Sequence, residues 1–219
     1  ISIRGVMSAL TVRTAQLVEQ GEVPLWQAAM LKVYASELME RLSETAFEVE
    51  QSRREHGMPV VPWVKKQRLF DARVLAAHCV HVDEGEIRAL KDAGAGVAHN
   101  PTSNLKLGSG VAPVAKMLDL DVAVGIGTDG AASNNDLDLW GEIKLAALLH
   151  KGVRHQATAV PAATALRMAT QGGAEAIGLG DEIGSLVAGK RADLIQVALD
   201  SPRLAPMYDA VSHPVYAVP

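Results

Sequence analysis

From residue 70 onward the chain repeats one unit, a short β-branched or apolar run followed by a stretch long enough for a helix. Residues 74–79 predict a strand and 84–93 a helix, 96–99 a strand and 111–120 a helix, 122–126 a strand and about 137–149 a helix. This alternation constrains the fold more than any other feature. Two parallel strands of one sheet need a connection of a dozen or more residues, usually a helix, whereas a meander needs only turns. A parallel α/β sheet is therefore expected. Residues 161–170 and 174–179 read as further helices, and 192–197, which alternate weakly after the turn-rich 184–189, predict a strand of a small accessory β domain. Residues 6–42 read differently. Apolar positions recur there at helical spacing, residues 21–24 interrupt them, and 25–42 lack Gly and Pro, so two amphipathic helices are expected.

Each of the three apolar runs ends at or just before a polar residue: His78, His99 and Asp129. In parallel α/β folds the reactive groups gather at the C-terminal ends of the strands. One polar strand end is commonplace and is satisfied by ordinary hydrogen bonds, but three in succession make a candidate site. Gly130 is expected to free the backbone to turn away and so leave the Asp129 carboxylate facing a cleft.

Composition removes other functions. With 48% apolar and 21% charged residues the chain is expected to fold in water, and a net charge of -4 with scattered Lys and Arg argues against nucleic acid as a partner. No apolar run reaches the ~20 residues that cross a bilayer, so no membrane partner is expected. The start, Ile1-Ser2-Ile3-Arg4, has neither an initiator Met nor a signal pattern and reads as internal to a cytoplasmic protein. The lone cysteine, Cys79, excludes a disulfide framework, sits inside a strand and reads as core rather than nucleophile; a metal would have to use His and carboxylates. Gly184 to Lys190 spells G-x-x-x-x-G-K, yet Arg191 stands where a phosphate loop needs Ser or Thr, and no strand-loop-helix context surrounds it.

Three segments carry a family resemblance: Ala76-Ala77-His78-Cys79-Val80-His81, then Ala98-His99-Asn100-Pro101-Thr102-Ser103-Asn104-Leu105-Lys106-Leu107, then Gly125-Ile126-Gly127-Thr128-Asp129-Gly130-Ala131-Ala132-Ser133-Asn134-Asn135. In order and spacing they resemble successive strand ends of the amidohydrolase superfamily, in particular its 5-methylthioadenosine/S-adenosylhomocysteine deaminases. Gly184 to Leu194 resembles the stretch by which amidohydrolases re-enter a small β-sandwich, and the resemblance runs from about Ser43 to Ala217. It implies an α/β fold, the C-terminal half of a (β/α)8 metal-dependent hydrolase barrel, here with a helical segment at residues 1–42, partial barrel at 43–180 and a sandwich fragment at 181–219. Roughly four βα units and an open sheet are expected, with strand edges that promote self-association.

The resemblance also implies a chemistry. A divalent ion, zinc or iron, brings the pKa of a bound water near neutral, and the hydroxide attacks the amino-bearing carbon of a purine or another aminated heterocycle such as a triazine. Asp129 is then the metal ligand and proton acceptor, His78 the hydroxide partner, and Glu44 in Ser43-Glu44-Thr45 the acid that protonates the ring nitrogen. Glu44, His99 and Asp129 would face the small-molecule substrate. Each has a plainer reading: Glu44 as a solvated carboxylate, His81 as a surface residue.

The pattern breaks upstream. The family supplies two ligands from a His-x-His pair and a third from a His three residues before the Glu of the Ser-Glu-Thr segment. Here no His-x-His occurs, and that third position is Arg41, which cannot ligate a metal. Residues 14–21 and 26–37 instead resemble the C-terminal helical bundle of acyl-CoA dehydrogenases, which suggests a junction near residues 40–43; no flavin is inferred. Two readings follow: a metal-dependent hydrolytic deaminase, inactive as this chain, or a non-catalytic half-barrel that serves as a binding or oligomerisation module.

Overall fold

The computed structural model describes residues 52–198 and 202–218, all within the second of the two units into which the chain divides, Leu42–Pro219. The two amphipathic helices expected at 6–42, Arg41 and Glu44 lie outside the described residues.

Three parallel strands form the centre: β1 (Leu75–Ala77), β2 (Gly96–His99) and β3 (Val124–Ile126), side by side in chain order. Leu75 is paired with Gly96, and Val97 with Val124. The ladder runs one residue past β1 and β3, since His78 N donates to Ala98 O at 2.9 Å and Gly127 N to His99 O at 2.9 Å. Chain-order neighbours joined by helices fit a segment of a barrel, and they also fit one half of a doubly wound sheet.

Around the sheet lie α1 (Val60–Lys66), α2 (Glu84–Asp92), α3 (Pro101–Lys106), α4 (Val114–Asp119), α5 (Ala131–Asn134), α6 (Leu139–Arg154), α7 (Ala162–Ala169), α8 (Gln171–Ala176) and α9 (Ser212–Ala217). The start of α2 is a capping box: Asp83 accepts from Glu86 N at 2.8 Å and Glu86 accepts from Asp83 N at 3.1 Å. Glu86 also accepts from Val61 N at 3.1 Å, which ties α1 to α2. The longest helix, α6, is capped by Asp138, which accepts from Trp140 N and Gly141 N. The expected helix over 111–120 begins only after Pro113, at α4, and a separate short helix, α3, precedes it. Six residues are too few to show a helical period, and the only local mark of α3 is Pro101 at its first turn.

The core gathers Val97 and Val124 from the sheet, Ile87 and Leu90 from α2, Met117 from α4, and Ala165 and Met168 from α7. Each of the larger side chains is worth roughly 1.5 to 3 kcal/mol on burial. Helix α8 lies backbone-to-backbone on β2 and β3. A Cβ on Gly96 would stand 2.0 Å from Ala176 O, and one on Gly125 2.8 Å from Gly173 Cα. Only glycine permits that approach.

The described residues hold three strands where roughly four βα units are expected, and residues 43–51 of the expected barrel segment lie outside them. The strand expected at 192–197 is not formed. Residues 191–198 have no regular structure, and Leu194 and Ile195 are 65% and 76% exposed. A strand exists only where a neighbour takes its backbone hydrogen bonds, and no described residue does so here. No helix among the described residues is long and apolar enough to cross a membrane.

Candidate active site

All three predicted strand-end residues stand at the C-terminal edge of the sheet. His78 follows β1, His99 ends β2, and Asp129 comes three residues after β3. His78 and Asp129 are both left-handed, with φ of 65° and 63°. This conformation is costly for a residue with a Cβ and is kept only where the surroundings enforce it. The turn that aims the carboxylate is thus made by Asp129 itself. Gly130, expected to supply that freedom, has an ordinary φ of -79°.

These turns bring His78 Nε2 to 3.8 Å from Asp129 Oδ2, with both side chains almost fully buried. That separation is too long for a hydrogen bond and short enough for one atom to contact both groups. The other imidazole nitrogen, Nδ1, lies 2.7 Å from Asn104 Oδ1. Asp129 Oδ2 accepts from Ser103 Oγ at 2.7 Å and from Ser133 Oγ at 2.8 Å. His78 Nε2 and Asn104 Nδ2 are buried without a partner among the described residues.

A buried carboxylate on α6 holds this arrangement together. Glu142 accepts from Thr102 N at 3.1 Å and from Asn134 Nδ2 at 2.7 Å. Asn134 Nδ2 also donates to Thr128 O at 2.6 Å. Glu142 therefore grips the residues next to both serines that hold Asp129. Sequence reasoning missed Ser103, Asn104, Ser133, Asn134 and Glu142 as site residues, although four of them lie in the quoted motifs. A signal for Glu142 exists: with Ala146 and His150 it recurs every four residues on the buried face of α6, where a charged residue needs a partner.

His99 is completely buried, and its Nε2 lies 3.2 Å from His150 Nε2. Burial, then the neighbouring His150 and His78, lower its pKa to about 3. His150 is lowered to about 4, by burial first and then by Lys151 and Arg154. Both rings are neutral at neutral pH, so one can donate to the other. Glu44, the third expected member, is outside the described residues, and His81 is exposed. Cys79 packs against the core; burial and then Glu86 raise its thiol to about 12, so it stays protonated. Lys190, the lysine of the G-x-x-x-x-G-K string, donates to Gln171 Oε1 at 2.9 Å and to Gly180 O, which occupies it structurally.

A catalytic zinc takes three protein ligands and keeps one position open. Among the described residues no group of three or more His, Cys, Asp or Glu gathers as a metal site. Asp129 with the lone nitrogen of His78 supplies two donors, which do not fit a complete centre.

A sequence model of the amidohydrolase family matches residues 30–218. The 5-methylthioadenosine/S-adenosylhomocysteine deaminase of Desulforudis audaxviator is 50% identical over 176 residues, 80% of this chain and 41% of that protein. The 5'-deoxyadenosine deaminase of Methanosarcina acetivorans is 48% identical over 174 residues, 80% of this chain and 40% of that protein. Among solved structures, an adenosine deaminase from Xanthomonas campestris with bound zinc superposes with a TM-score of 0.74 at 44% identity, over 80% of this chain and 40% of that one. An atrazine chlorohydrolase from Arthrobacter aurescens, complexed with zinc, gives 0.72 at 33% identity, over 78% and 38%. The chain spans about two fifths of the length of the curated relatives it matches. Because the family model extends over far more than half of its residues, and the solved relatives repeat its fold, this chain belongs to the amidohydrolase family.

Proposed function

We propose that the chain carries the second half of a hydrolytic deaminase site for adenosine-type substrates, S-adenosylhomocysteine or 5-methylthioadenosine, and that these 219 residues alone do not turn over. The observation that carries the reading is the buried approach of His78 Nε2 to Asp129 Oδ2 at the C-terminal strand ends. It is supported by identities near 50% to deaminases of such substrates.

In this reading Asp129, fixed by two serine hydroxyls, takes the proton of the attacking water, and His78 holds the resulting oxygen beside the amino-bearing carbon. Glu44 protonates the ring nitrogen so that ammonia leaves, and His99 backs the substrate pocket. General acid-base help of this kind is worth about 10² to 10⁴ in rate, a small part of what enzymes achieve. The remainder belongs to a divalent ion, whose ligand set this sequence does not complete.

The test is ammonia release from S-adenosylhomocysteine with excess Zn²⁺. The chain alone should give none. Mixed with a polypeptide that spans the His-x-His half of a related deaminase, it should release ammonia, and Asp129→Ala should abolish that release. Turnover by the chain alone would overturn the ligand count; silence of the folded mixture would overturn the deaminase reading. A second reading, a binding or self-associating module, draws on the exposed Leu186, Val187, Leu194 and Ile195. Light scattering that shows only monomers would remove it.

A further inference from the structure

We propose that Asn104 is a positioning residue that selects the Nδ1–H tautomer of His78, leaving the Nε2 lone pair turned toward Asp129. The proposal deepens the reading of His78 as the partner of the attacking water and rests on it. Its evidence, however, is hydrogen-bond geometry and not turnover.

An amide oxygen has lone pairs and no proton to give. With His78 Nδ1 2.7 Å from Asn104 Oδ1, the hydrogen between them must sit on Nδ1. Which ring nitrogen carries the proton is set by the bond that the other one makes, so Nε2 is left as an acceptor. On the far side, Asp129 Oδ2 already accepts from Ser103 Oγ at 2.7 Å and Ser133 Oγ at 2.8 Å, and at 3.8 Å His78 Nε2 makes no hydrogen bond to it. Free imidazole side chains in water favour the opposite tautomer, with the hydrogen on Nε2, so the arrangement here requires a dedicated partner.

Helix α3 is built to supply that partner. Asn104 is 2% exposed; its N donates to Asn100 O at 3.0 Å and its carbonyl accepts from Ser109 N at 2.9 Å. Consecutive residues of one short helix thus reach the two members of the site, Ser103 to Asp129 and Asn104 to His78. An acceptor at Nε2 orients an O–H toward itself and can take a proton. A donor there would orient the water the other way. Asn104 therefore decides which of these His78 does.

The test is a long-range ¹H–¹⁵N spectrum of the uniformly labelled full chain at alkaline pH, with the His78 signals identified by their loss in His78→Gln. In the native protein Nδ1 should resonate as a protonated nitrogen and Nε2 as an unprotonated one. Asn104→Asp, whose carboxylate can still accept from Nδ1, should keep this pattern, and Asn104→Leu should move His78 toward the Nε2–H form. A native His78 protonated on Nε2 would overturn the proposal, as would a folded Asn104→Leu variant with an unchanged pattern. If Asn104→Leu does not fold, the native and Asn104→Asp spectra still decide. Because no ammonia is measured, failure here is separable from failure of the deaminase reading.

Discussion

The strand ends between His78 and Glu142 and the segment from 184 to 198 carry the same family resemblance, yet they differ in how much they can satisfy by themselves. In the first, the buried acidic groups and His99 find partners from 4 to 51 positions away in the chain: Asp129 its serines, Glu142 its amide and backbone N–H, His99 its His150. The second is anchored only at its root. Gly184, with φ of 91°, lies where a Cβ would come within 2.7 Å of Ala174 Cβ, and Lys190 reaches back to Gln171. Beyond Arg191 the backbone has no ladder, and the apolar side chains face outward. Likeness of sequence therefore reports ancestry for both regions, but a stable local structure only for the one whose contacts lie within the neighbouring βα units.

The sharpest way to break this comparison is at Gly96. Its added Cβ in Gly96→Ala would sit 2.0 Å from Ala176 O, a backbone atom that cannot swing aside. A loss above about 4 kcal/mol, or failure to fold, is expected in urea denaturation. A mild loss would mean that α8 is not seated on the sheet as described. Next in size, Ile87→Ala removes a side chain that is 1% exposed, and should lower stability by about 3 kcal/mol through lost burial and a residual cavity.

A smaller effect should come from pH. Above about 6.5 His99 and His150 are neutral whether the chain is folded or not. As pH falls below that value the unfolded chain takes up protons that the folded one, with pKa values lowered to about 3 and about 4, refuses. Stability is therefore lost as pH falls, by about 1 kcal/mol per buried histidine between pH 7.5 and 5.5. His150→Gln should flatten the dependence of the urea midpoint over that interval. A midpoint that rises on acidification would contradict a neutral pair. The smallest effect should be Ile195→Ala. The same chemical change as at Ile87, made in the outward-facing segment where the residue is 76% exposed, should stay within about 0.5 kcal/mol. A loss approaching that of Ile87→Ala would show that residues 184–198 are packed in solution, against another chain or another part of this one.

The sequence by itself determined the parallel βα order and the three strand ends at which His78, His99 and Asp129 stand. These follow from local information: hydrophobic period, the need for a helical crossover, and motifs long enough to mark a family. The break in the ligand pattern was equally legible, because counting histidines needs no coordinates. Tertiary structure decided the rest. That Asp129 rather than Gly130 makes the turn, that Asn104 and not a carboxylate meets His78 Nδ1, and that Glu142 grips both serine-bearing segments all depend on residues 8 to 40 positions apart in the chain. A buried polar group takes whichever partner the packing places within about 3 Å, and sequence spacing does not encode that choice. The strand expected at 192–197 fell for a related reason: alternation states a preference, but only a neighbour that accepts its hydrogen bonds makes a strand.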